Sequence, residues 1–234
     1  MVTTVFFDLN GTLLPMDQNK FLDTYTGSLT KKMAHYGYDP ELFLKAFWAG
    51  TGAMVRNDGS RVNAAVLWNT FSSVIGKDAL ADEPVVLDYY QNEFQSVSDV
   101  CGFNPAAAEA VRETKALGKR IVLATNPLFL LPAIVSRVRW AGVNPEDFEY
   151  ITSYENSSWS KPNPGYFREI MDKLGVQPEE CLMIGNDVKE DMAARTLGIR
   201  VFLLTDCLIN RNGDDISQYP HGSFPELLAY LRSL

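Results

Sequence analysis

The sequence predicts an α/β fold in which a parallel sheet has helices on both faces and an all-helical domain is inserted after the first strand. Four apolar runs rich in Val, Ile, Leu or Phe lack alternation, which is typical of strands buried on both faces. Helical patterns separate or follow these runs, and alternating strands and helices indicate an open parallel sheet. A stretch of about 85 residues after the first run carries helical patterns without a convincing strand.

The apolar runs place the predicted strands. The first run, residues 4–9, stops abruptly at a carboxylate that a Gly-Thr turn follows. This pattern is typical of a buried strand that delivers an acid to the edge of the sheet where α/β proteins bind ligands. The other predicted strands are residues 120–125, 181–185 and 200–205, with a weaker candidate at residues 148–153.

Helices are predicted between and after these strands. Their predicted ranges are residues 105–117, 131–140, 164–174, 188–197 and 224–231. Glycine follows four of the five, where a left-handed C-cap belongs, at Gly118, Gly142, Gly175 and Gly198. Residues 206–221 contain Asn-Gly-Asp-Asp and Tyr-Pro, and this composition predicts a long loop before the last helix.

The inserted segment predicts a small helical cap domain over the strand-end pocket. Its amphipathic stretches are residues 20–35, 40–48, 62–75 and 86–94. We therefore divide the chain into a core domain of residues 1–14 and 101–234 and a cap domain of residues 15–100. Residues 50–56 contain two glycines and one cation, and they predict a hinge or plain loop rather than a contact with substrate.

Composition and charge limit the class of partner. The 234 residues are 46% hydrophobic and 21% charged, which is ordinary for a globular protein, and the formal net charge is -8. Such an acidic chain argues against sequence-independent nucleic-acid binding. The sequence shows neither a signal peptide nor an apolar stretch long enough for a membrane span, and its three cysteines form no metal or disulfide pattern. We expect a cytoplasmic protein with a small-molecule substrate.

Polar residues fall at or just beyond the ends of the predicted strands. Asp8 lies at the end of the first predicted strand, Thr125 ends the second, and the pair Asp187 and Asp191 follows the third. Lys161 lies in a Ser-Lys-Pro-Asn-Pro segment whose prolines restrict the backbone. Because parallel strands place their carboxyl ends at one edge of the sheet, we expect these side chains to converge there.

The types of these residues suit phosphate chemistry. Asp8 before a tight Gly11 turn suits a nucleophilic carboxylate, with backbone N–H groups nearby to hold an anion. Thr125 supplies a hydroxyl donor, the backbone of Asn126 adds a second, and Lys161 supplies a fixed cation. The spacing of Asp187 and Asp191 places both acids on one face of a predicted helix, where they suit a hard divalent cation.

Four motifs in order resemble the haloacid dehalogenase-like (HAD) superfamily of hydrolases over essentially the whole chain. They are Asp8-Leu9-Asn10-Gly11-Thr12, Thr125-Asn126, Lys161-Pro162 and the segment Gly185-Asn186-Asp187-Val188-Lys189-Glu190-Asp191. The resemblance implies a Rossmann-like core, and the insertion after the first motif looks like the helical cap of the family's C1 class. It also implies a phosphatase that depends on Mg²⁺ and acts on a small phosphorylated metabolite.

The resemblance implies a role for each matching position. Asp8 would attack phosphorus to form an aspartyl-phosphate, and Thr125 and Lys161 would hold the phosphoryl oxygens. Gly11, Thr12 and Asn126 would add substrate contacts. Mg²⁺ would be bound by the Asp8 carboxylate, the backbone carbonyl of Asn10 and Asp187. Asp191 would be a further ligand through water, or an acid that orients the others.

Asn10 departs from the family pattern. The family's phosphatases carry Asp at this position, as general acid for the leaving group and then as base for water. An amide keeps the backbone ligand but does not exchange a proton, and general acid–base catalysis is worth roughly 10²–10⁴-fold in rate. The sequence therefore predicts slow turnover or a long-lived phosphoenzyme, whether the amide is natural, engineered or a sequence variant.

Three other functions stay open from the sequence. A haloacid dehalogenase also uses an Asp nucleophile. Because that reaction needs no cation, Asp187 and Asp191 would have no role in it. A phosphate-binding pseudoenzyme is motivated by Asn10. A receiver-like signalling domain also combines Asp, Thr and Lys, but the acid on the very first strand and the large insertion argue against it.

Overall fold

The computed structural model describes all 234 residues and contains one six-stranded parallel sheet. The spatial order of the strands is β3-β2-β1-β4-β5-β6. Their bounds are β1 (Thr4–Phe7), β2 (Arg120–Leu123), β3 (Tyr150–Ile151), β4 (Cys181–Gly185), β5 (Arg200–Leu204) and β6 (His221–Gly222). The four strongly predicted strands are confirmed, and the weaker candidate contains only the two residues of β3. The sequence missed β6, which begins at the end of the predicted 206–221 loop.

The register of β1 with its two neighbours sets the position of the site. Phe7 pairs with Leu123 of β2 on one side and with Ile184 of β4 on the other. The residues that follow these three strands therefore leave the sheet side by side. In this way, positions far apart in sequence, such as Asp8 and Asn186, come to one edge.

Both faces of the sheet are covered by apolar packing, as the unalternating strands predict. Val5 and Phe7 of β1 belong to one buried cluster, which includes residues of the helices Pro105–Ala116 and Phe224–Arg232. Phe6 points the other way, into a second cluster that includes residues of the helix Pro164–Leu174. Because successive side chains of a strand point to opposite faces, an apolar residue at every position requires helices on both sides.

Eight α-helices surround or extend the sheet. Their bounds are α1 (Gln18–Ala34), α2 (Pro40–Val55), α3 (Asn63–Ile75), α4 (Glu83–Gln91), α5 (Pro105–Ala116), α6 (Leu131–Trp140), α7 (Pro164–Leu174) and α8 (Phe224–Arg232). The predicted helices at 131–140 and 164–174 match α6 and α7 in full. None of the eight is long and apolar enough to cross a membrane.

The four helices α1–α4 share an apolar cluster rich in Phe and Tyr, which also includes Leu130, Ala133 and Tyr154. Asn63, at the start of α3, is fully buried where this segment meets the sheet. Its side-chain amide donates to the carbonyl of Pro127 at 3.2 Å, and its backbone N–H donates to the carbonyl of Ser157 at 2.8 Å. The all-helical insertion is therefore present and tied to the sheet, while the domain boundaries at 14/15 and 100/101 stay a prediction.

The loop or hinge predicted at residues 50–56 is wrong, because α2 continues to Val55. A Cβ at Gly50 would lie 2.5 Å from Cδ1 of Leu67 on α3. Gly50 is therefore a site of close packing between two helices, and no proline interrupts α2 after its first residue. Glycine here lets two helices approach each other, and its usual association with loops made the prediction wrong.

The helix predicted at residues 188–197 is also wrong. A turn follows β4, and only Met192–Leu197 is helical, in 3₁₀ form. The Asp187 carboxylate accepts hydrogen bonds from the N–H groups of Lys189 and Glu190, at 2.8 and 3.0 Å. A short acidic side chain that satisfies local backbone donors competes with helical bonding and favours a turn.

Candidate active site

Asp8 is held at the carboxyl edge of the sheet by β1. Its backbone N–H donates to the carbonyl of Ile184 on β4 at 2.9 Å, which continues the ladder one residue beyond the strand. Its carboxylate is mostly buried and has a different donor for each oxygen. Oδ1 accepts from Lys161 Nζ at 3.0 Å, and Oδ2 lies 3.2 Å from the Thr12 hydroxyl.

The turn after Asp8 packs directly against the end of β4. Gly11 has φ of 79°, and a Cβ there would lie 2.3 Å from Nδ2 of Asn186. Both the backbone conformation and the space therefore require glycine. The Thr12 hydroxyl is 2.9 Å from Oδ1 of the same Asn186, so this turn links the first and fourth motifs.

Lys161 lies between two carboxylates in the interior. Its side chain is 1% exposed, and Nζ is 3.0 Å from Asp8 Oδ1 and 2.6 Å from Asp191 Oδ1. Burial alone would lower the pKa of Lys161, but the charges of Asp191 and Asp8 outweigh burial and raise that pKa above its usual value. Lys161 is therefore a fixed cation at neutral pH.

Thr125 and Asn126 lie beside Lys161 at the end of β2. The Thr125 carbonyl accepts from the Tyr166 hydroxyl at 2.8 Å, which fixes the backbone at this point. Asn126 Oδ1 accepts from the backbone N–H of Lys161 at 3.2 Å, and its amide donates to Glu190 at 3.0 Å. Thr125 and Asn126 both line the same cavity as Asp8.

Glu190 is an acid of the site that the sequence analysis did not single out. It lines the cavity. The pKa of its carboxyl lies above the usual value, because burial raises this pKa more than the Lys161 ammonium lowers it. Its place in the fourth motif, beside Asp191, was the available signal.

Asp187 and Asp191 are adjacent, although they do not share a helix face. Asp191 Oδ2 accepts from the backbone N–H of Asp187 at 3.0 Å, and its other oxygen is bonded to Lys161. A Cβ at Gly185 would lie 2.2 Å from the Asp191 carboxyl carbon, so glycine makes room for this acid. Asp191 is thus fully engaged within the protein, whereas Asp187 Oδ2 meets the guanidinium of Arg211 at 2.8 Å.

The donor set at this edge fits a hard divalent cation. Asp8 and Asp187 line one cavity with Asn10, whose backbone carbonyl would be a third oxygen ligand beside the two carboxylates. Carboxylate, carbonyl and water oxygens are the ligands that Mg²⁺ prefers. No group of three or more Asp, Glu, His or Cys side chains is arranged to hold a metal ion, so a cation here would also need carbonyl and water oxygens.

Asn10 has a buried cationic partner that the sequence analysis missed. Arg137 of α6 is 1% exposed, and its Nη1 donates to Asn10 Oδ1 at 3.0 Å. Its guanidinium also lies 4.0 Å from the centre of the Phe129 ring. Burial lowers the pKa of Arg137 to about 10, and nearby tyrosines and Asp8 oppose this. The sequence signal for this contact was an arginine on the same helix face as Ala133, which is the buried face of α6.

A cavity of about 280 Å³ opens above these residues. Its polar end holds Asp8, Asn10, Thr125 and Asp187, and its apolar side is formed largely by the helical insertion. The aromatic members of that side are Phe21, Tyr25, Phe47, Trp48 and Phe129. Nothing in the sequence places the first four of these residues in the site, because their helical spacing is that of ordinary core residues.

The predicted site residues thus lie around one cavity or directly behind it. Asp8, Asn10, Thr125, Asn126, Asp187 and Asp191 line it. Lys161 lies behind, bonded to two of them, and Gly11 and Thr12 form the adjoining turn. A carboxylate bonded to a fixed cation, with further acids around the same cavity, forms an arrangement that can stabilise negative charge developing on a transferred group.

Comparison with known proteins gives the same family as the motifs. A family model described as a haloacid dehalogenase-like hydrolase matches residues 2–198. A phosphoglycolate phosphatase of Colwellia psychrerythraea is 27% identical over 233 residues, which cover 97% of this chain and 96% of that protein.

Solved structures of low identity share the fold. L-2-haloacid dehalogenase from Xanthobacter autotrophicus superposes with a TM-score of 0.58 at 16% identity, covering 100% of both chains. The HAD-hydrolase YfnB from Bacillus subtilis, solved bound to magnesium, gives 0.55 at 14% identity, covering 98% of both chains.

Proposed function

The chain belongs to the haloacid dehalogenase-like hydrolase family, and from that premise we propose that it is a Mg²⁺-dependent phosphatase of a small phosphorylated metabolite. The observation that supports this most strongly is the Asp8 carboxylate 3.0 Å from the buried Lys161 ammonium, in a cavity that Asp187 also lines. The full-length similarity to a phosphoglycolate phosphatase supports the reaction class.

Asp8 is the proposed nucleophile. One carboxylate oxygen forms a bond to phosphorus while the bond from phosphorus to the leaving oxygen breaks, which gives an aspartyl-phosphate. Water then attacks the phosphorus of that intermediate and releases inorganic phosphate and free Asp8. Such transfers depend mainly on positioning and on stabilisation of the phosphoryl oxygens.

The surrounding residues hold the phosphoryl group. The Lys161 ammonium offsets the charge of Asp8 and of the incoming phosphate. The Thr125 hydroxyl and the backbone N–H of Asn126 donate to phosphoryl oxygens, and the turn at Gly11 and Thr12 adds backbone donors.

The metal is assigned to the Asp8 carboxylate, the Asn10 backbone carbonyl and Asp187. When bound, Mg²⁺ supplies positive charge that draws the substrate phosphate toward Asp8 and stabilises charge on its oxygens. Asp191 acts as a positioning residue, because both of its oxygens are engaged, one by Lys161 and one by the N–H of Asp187.

Asn10 limits the rate. Its side-chain amide has no proton to give to the leaving oxygen and no means to accept one from water. Bulk water must therefore serve both steps, and we expect turnover roughly 10²–10⁴-fold below that of the same site with a general acid. The amide at position 10 also favours a second candidate function, in which the protein binds a phosphorylated ligand without appreciable turnover.

Dehalogenation is a weaker reading of the same fold. The dehalogenase likeness at 16% identity concerns the fold alone. The arrangement of Asp187 and Asp191 around Lys161 and Asp8 gives those acids a task in a metal-dependent phosphatase.

We propose the cytoplasm as the location and nucleic acid as an unsuitable ligand. All three cysteines are free, as is usual in a reducing compartment. The net charge of -8 is unfavourable for contact with a polyanion.

Release of inorganic phosphate from a generic aryl phosphate tests the function. We expect release that requires added Mg²⁺, stops on chelation and is abolished in Asp8→Asn. Binding of an aryl phosphate without release, in both the unsubstituted chain and Asn10→Asp, would support the binding-only candidate. Chloride release from a haloacid without added metal would overturn the phosphatase assignment.

A further inference from the structure

We propose that the natural substrate is a phosphate monoester of an uncharged, apolar or aromatic alcohol, and that the site rejects esters bearing a second anion. The inference rests on the proposed function and adds the chemistry of the leaving group. It contrasts with phosphoglycolate, the substrate in the name of the Colwellia relative, which carries a carboxylate beside its phosphate.

The wall opposite Asp8 is a continuous run of aromatic rings. Centroid separations are 5.0 Å for Trp48 and Phe47, 5.8 Å for Phe47 and Tyr25, 5.3 Å for Tyr25 and Phe129, and 6.3 Å for Phe129 and Phe21. Rings at these distances form a rigid apolar surface, on which a flat or apolar group packs well. Leu22 and Leu128 also line the cavity.

Trp48 extends this wall toward solvent. It is 46% exposed and lies on α2, the helix that closes one side of the cavity. An apolar ligand buries more of its surface where a large exposed aromatic side chain extends a buried apolar wall. The wall thus offers apolar contact both inside the cavity and at its opening.

The charges in the cavity oppose a second anion. Four carboxylates line it, those of Asp8, Asp187, Glu190 and Asp191, and every other lining residue is neutral. A phosphate is accommodated at the edge where Lys161 and the proposed metal lie. A further carboxylate or phosphate on the leaving group would project instead toward the aromatic wall, where it would lose hydration without gaining a cation.

The cations bonded to residues that line the cavity are already engaged. Arg137 is buried behind the Phe129 ring and is bonded to Asn10. Lys161 is 1% exposed between its two carboxylates. Arg211 is 57% exposed and paired with Asp187, and it lines surface grooves outside the main cavity. None of the three presents a free guanidinium or ammonium to the apolar end.

A matched pair of esters tests the proposal: phenyl phosphate and 4-carboxyphenyl phosphate, which differ by one carboxylate on the same ring. Phosphate release would be measured with Mg²⁺ in the Asn10→Asp background, where turnover is fast enough to compare kcat/KM. We expect phenyl phosphate to be favoured by at least about tenfold, because the extra carboxylate would lose hydration at the apolar wall without gaining a cation. Phosphoglycolate should be a poor substrate in the same assay.

Two charge variants make the test specific. Thr51 lies on α2 and lines the cavity, so Thr51→Lys should reduce the preference at least several-fold by offering the carboxylate a partner. Gln91→Lys adds the same charge at an exposed helical position away from the cavity, and it should leave the preference unchanged.

The outcomes separate this proposal from the function on which it rests. Equal or better use of 4-carboxyphenyl phosphate or phosphoglycolate, with phosphate release intact, would overturn the apolar substrate and leave the phosphatase in place. An equal effect of Thr51→Lys and Gln91→Lys would overturn the role of the cavity wall. If Asn10→Asp hydrolysed neither ester, both proposals would fall.

Discussion

Arg137 Nη1 donates a hydrogen bond of 3.0 Å to Asn10 Oδ1, which joins a buried guanidinium to the residue where the family's phosphatases carry an acid. With aspartate at position 10 the same contact would be an ion pair. With asparagine, the guanidinium keeps its hydrogen bond and its contact with the Phe129 ring but lacks a carboxylate bonded to it. The cost of burying Arg137 is therefore only partly offset.

A double-mutant cycle measures this relationship. In the chain with Asn10, Arg137→Met removes a poorly compensated buried charge, and we expect the free energy of unfolding to change by no more than about 1 kcal/mol. In the Asn10→Asp background the same change removes the partner of a half-buried carboxylate, and we expect a larger loss, of about 2 kcal/mol. Urea unfolding of the four proteins gives both values.

Arg139→Met is the matched control for that cycle. Arg139 is exposed on the same helix, so its replacement should have a similar, small effect with either residue at position 10. An equal loss for Arg137→Met in both backgrounds would show that Arg137 and position 10 are not coupled.

A second prediction concerns the phosphoenzyme. An aryl leaving group needs little protonation, so Asp8 can be phosphorylated without a general acid, but water attack still lacks its base. We expect a burst of phenolate of about one per site from an activated aryl phosphate, followed by slow turnover. Mass spectrometry should find one phosphoryl group on the peptide that contains Asp8. Steady phosphate release with no burst and no modified peptide would contradict an aspartyl-phosphate.

Arg211 predicts a measurable effect on metal affinity. Its guanidinium is 2.8 Å from Asp187 Oδ2 and competes with a cation for that carboxylate. Because the arginine is largely exposed, its pairing is weak, and Arg211→Ala should tighten Mg²⁺ binding by only about two- to fivefold. Titration calorimetry with MgCl₂ measures this. Arg195→Ala removes an exposed arginine elsewhere and should leave affinity unchanged, so an equal change in both would indicate a general charge effect.

The stability of the helical insertion should fall in alkali. Tyr89 is fully buried, and burial raises the pKa of its hydroxyl to about 12. Between about pH 10 and pH 12 the unfolded chain loses this proton while the folded chain keeps it, so the free energy of unfolding decreases as pH rises. Each such tyrosine contributes a slope of about 1.4 kcal/mol per pH unit.

Tyr89→Phe should reduce that slope by the contribution of one tyrosine. The measurement is urea unfolding at several pH values from about 9 to about 12, which spans the window set by the unfolded and folded pKa values. Tyr36→Phe is the control, because the Tyr36 side chain is 53% exposed and hydrated in the folded chain as well. An unchanged slope in Tyr89→Phe would show that this hydroxyl does not stay protonated in the folded state.

The sheet and the polar end of the site were predictable because their signals are local. The strands around Asp8 and Asn186 are unbroken apolar runs that end at a polar residue, and parallel pairing then brings those ends together. The turn at Gly11 was also predictable from the sequence, since a Gly-Thr pair after a strand end suits a tight turn. Two features of this region were not predicted correctly. The helix expected after Asp187 is largely a turn, and the two-residue strand β6 was missed.

The apolar side of the cavity was not predictable, because its residues look like core. Phe21, Tyr25 and Phe47 have the helical spacing of packing residues, and nothing in that spacing says that one face meets a cavity rather than a neighbouring helix. The Arg137–Asn10 contact joins residues 127 positions apart and depends on how α6 packs beside β1. Long-range packing of this kind has no signature in a single sequence.

The most direct test of the central claim is the rate of Mg²⁺-dependent phosphate release from benzyl phosphate by Asn10→Asp, compared with the unsubstituted chain. Benzyl alcohol is a poor leaving group that requires a proton, so restoring the carboxylate should raise the rate by roughly 10²–10⁴-fold. The gain should vanish when Asp8→Asn is added to Asn10→Asp. An unchanged rate in Asn10→Asp, or a gain that survives the loss of Asp8, would contradict a site built for phosphoryl transfer with one proton carrier missing.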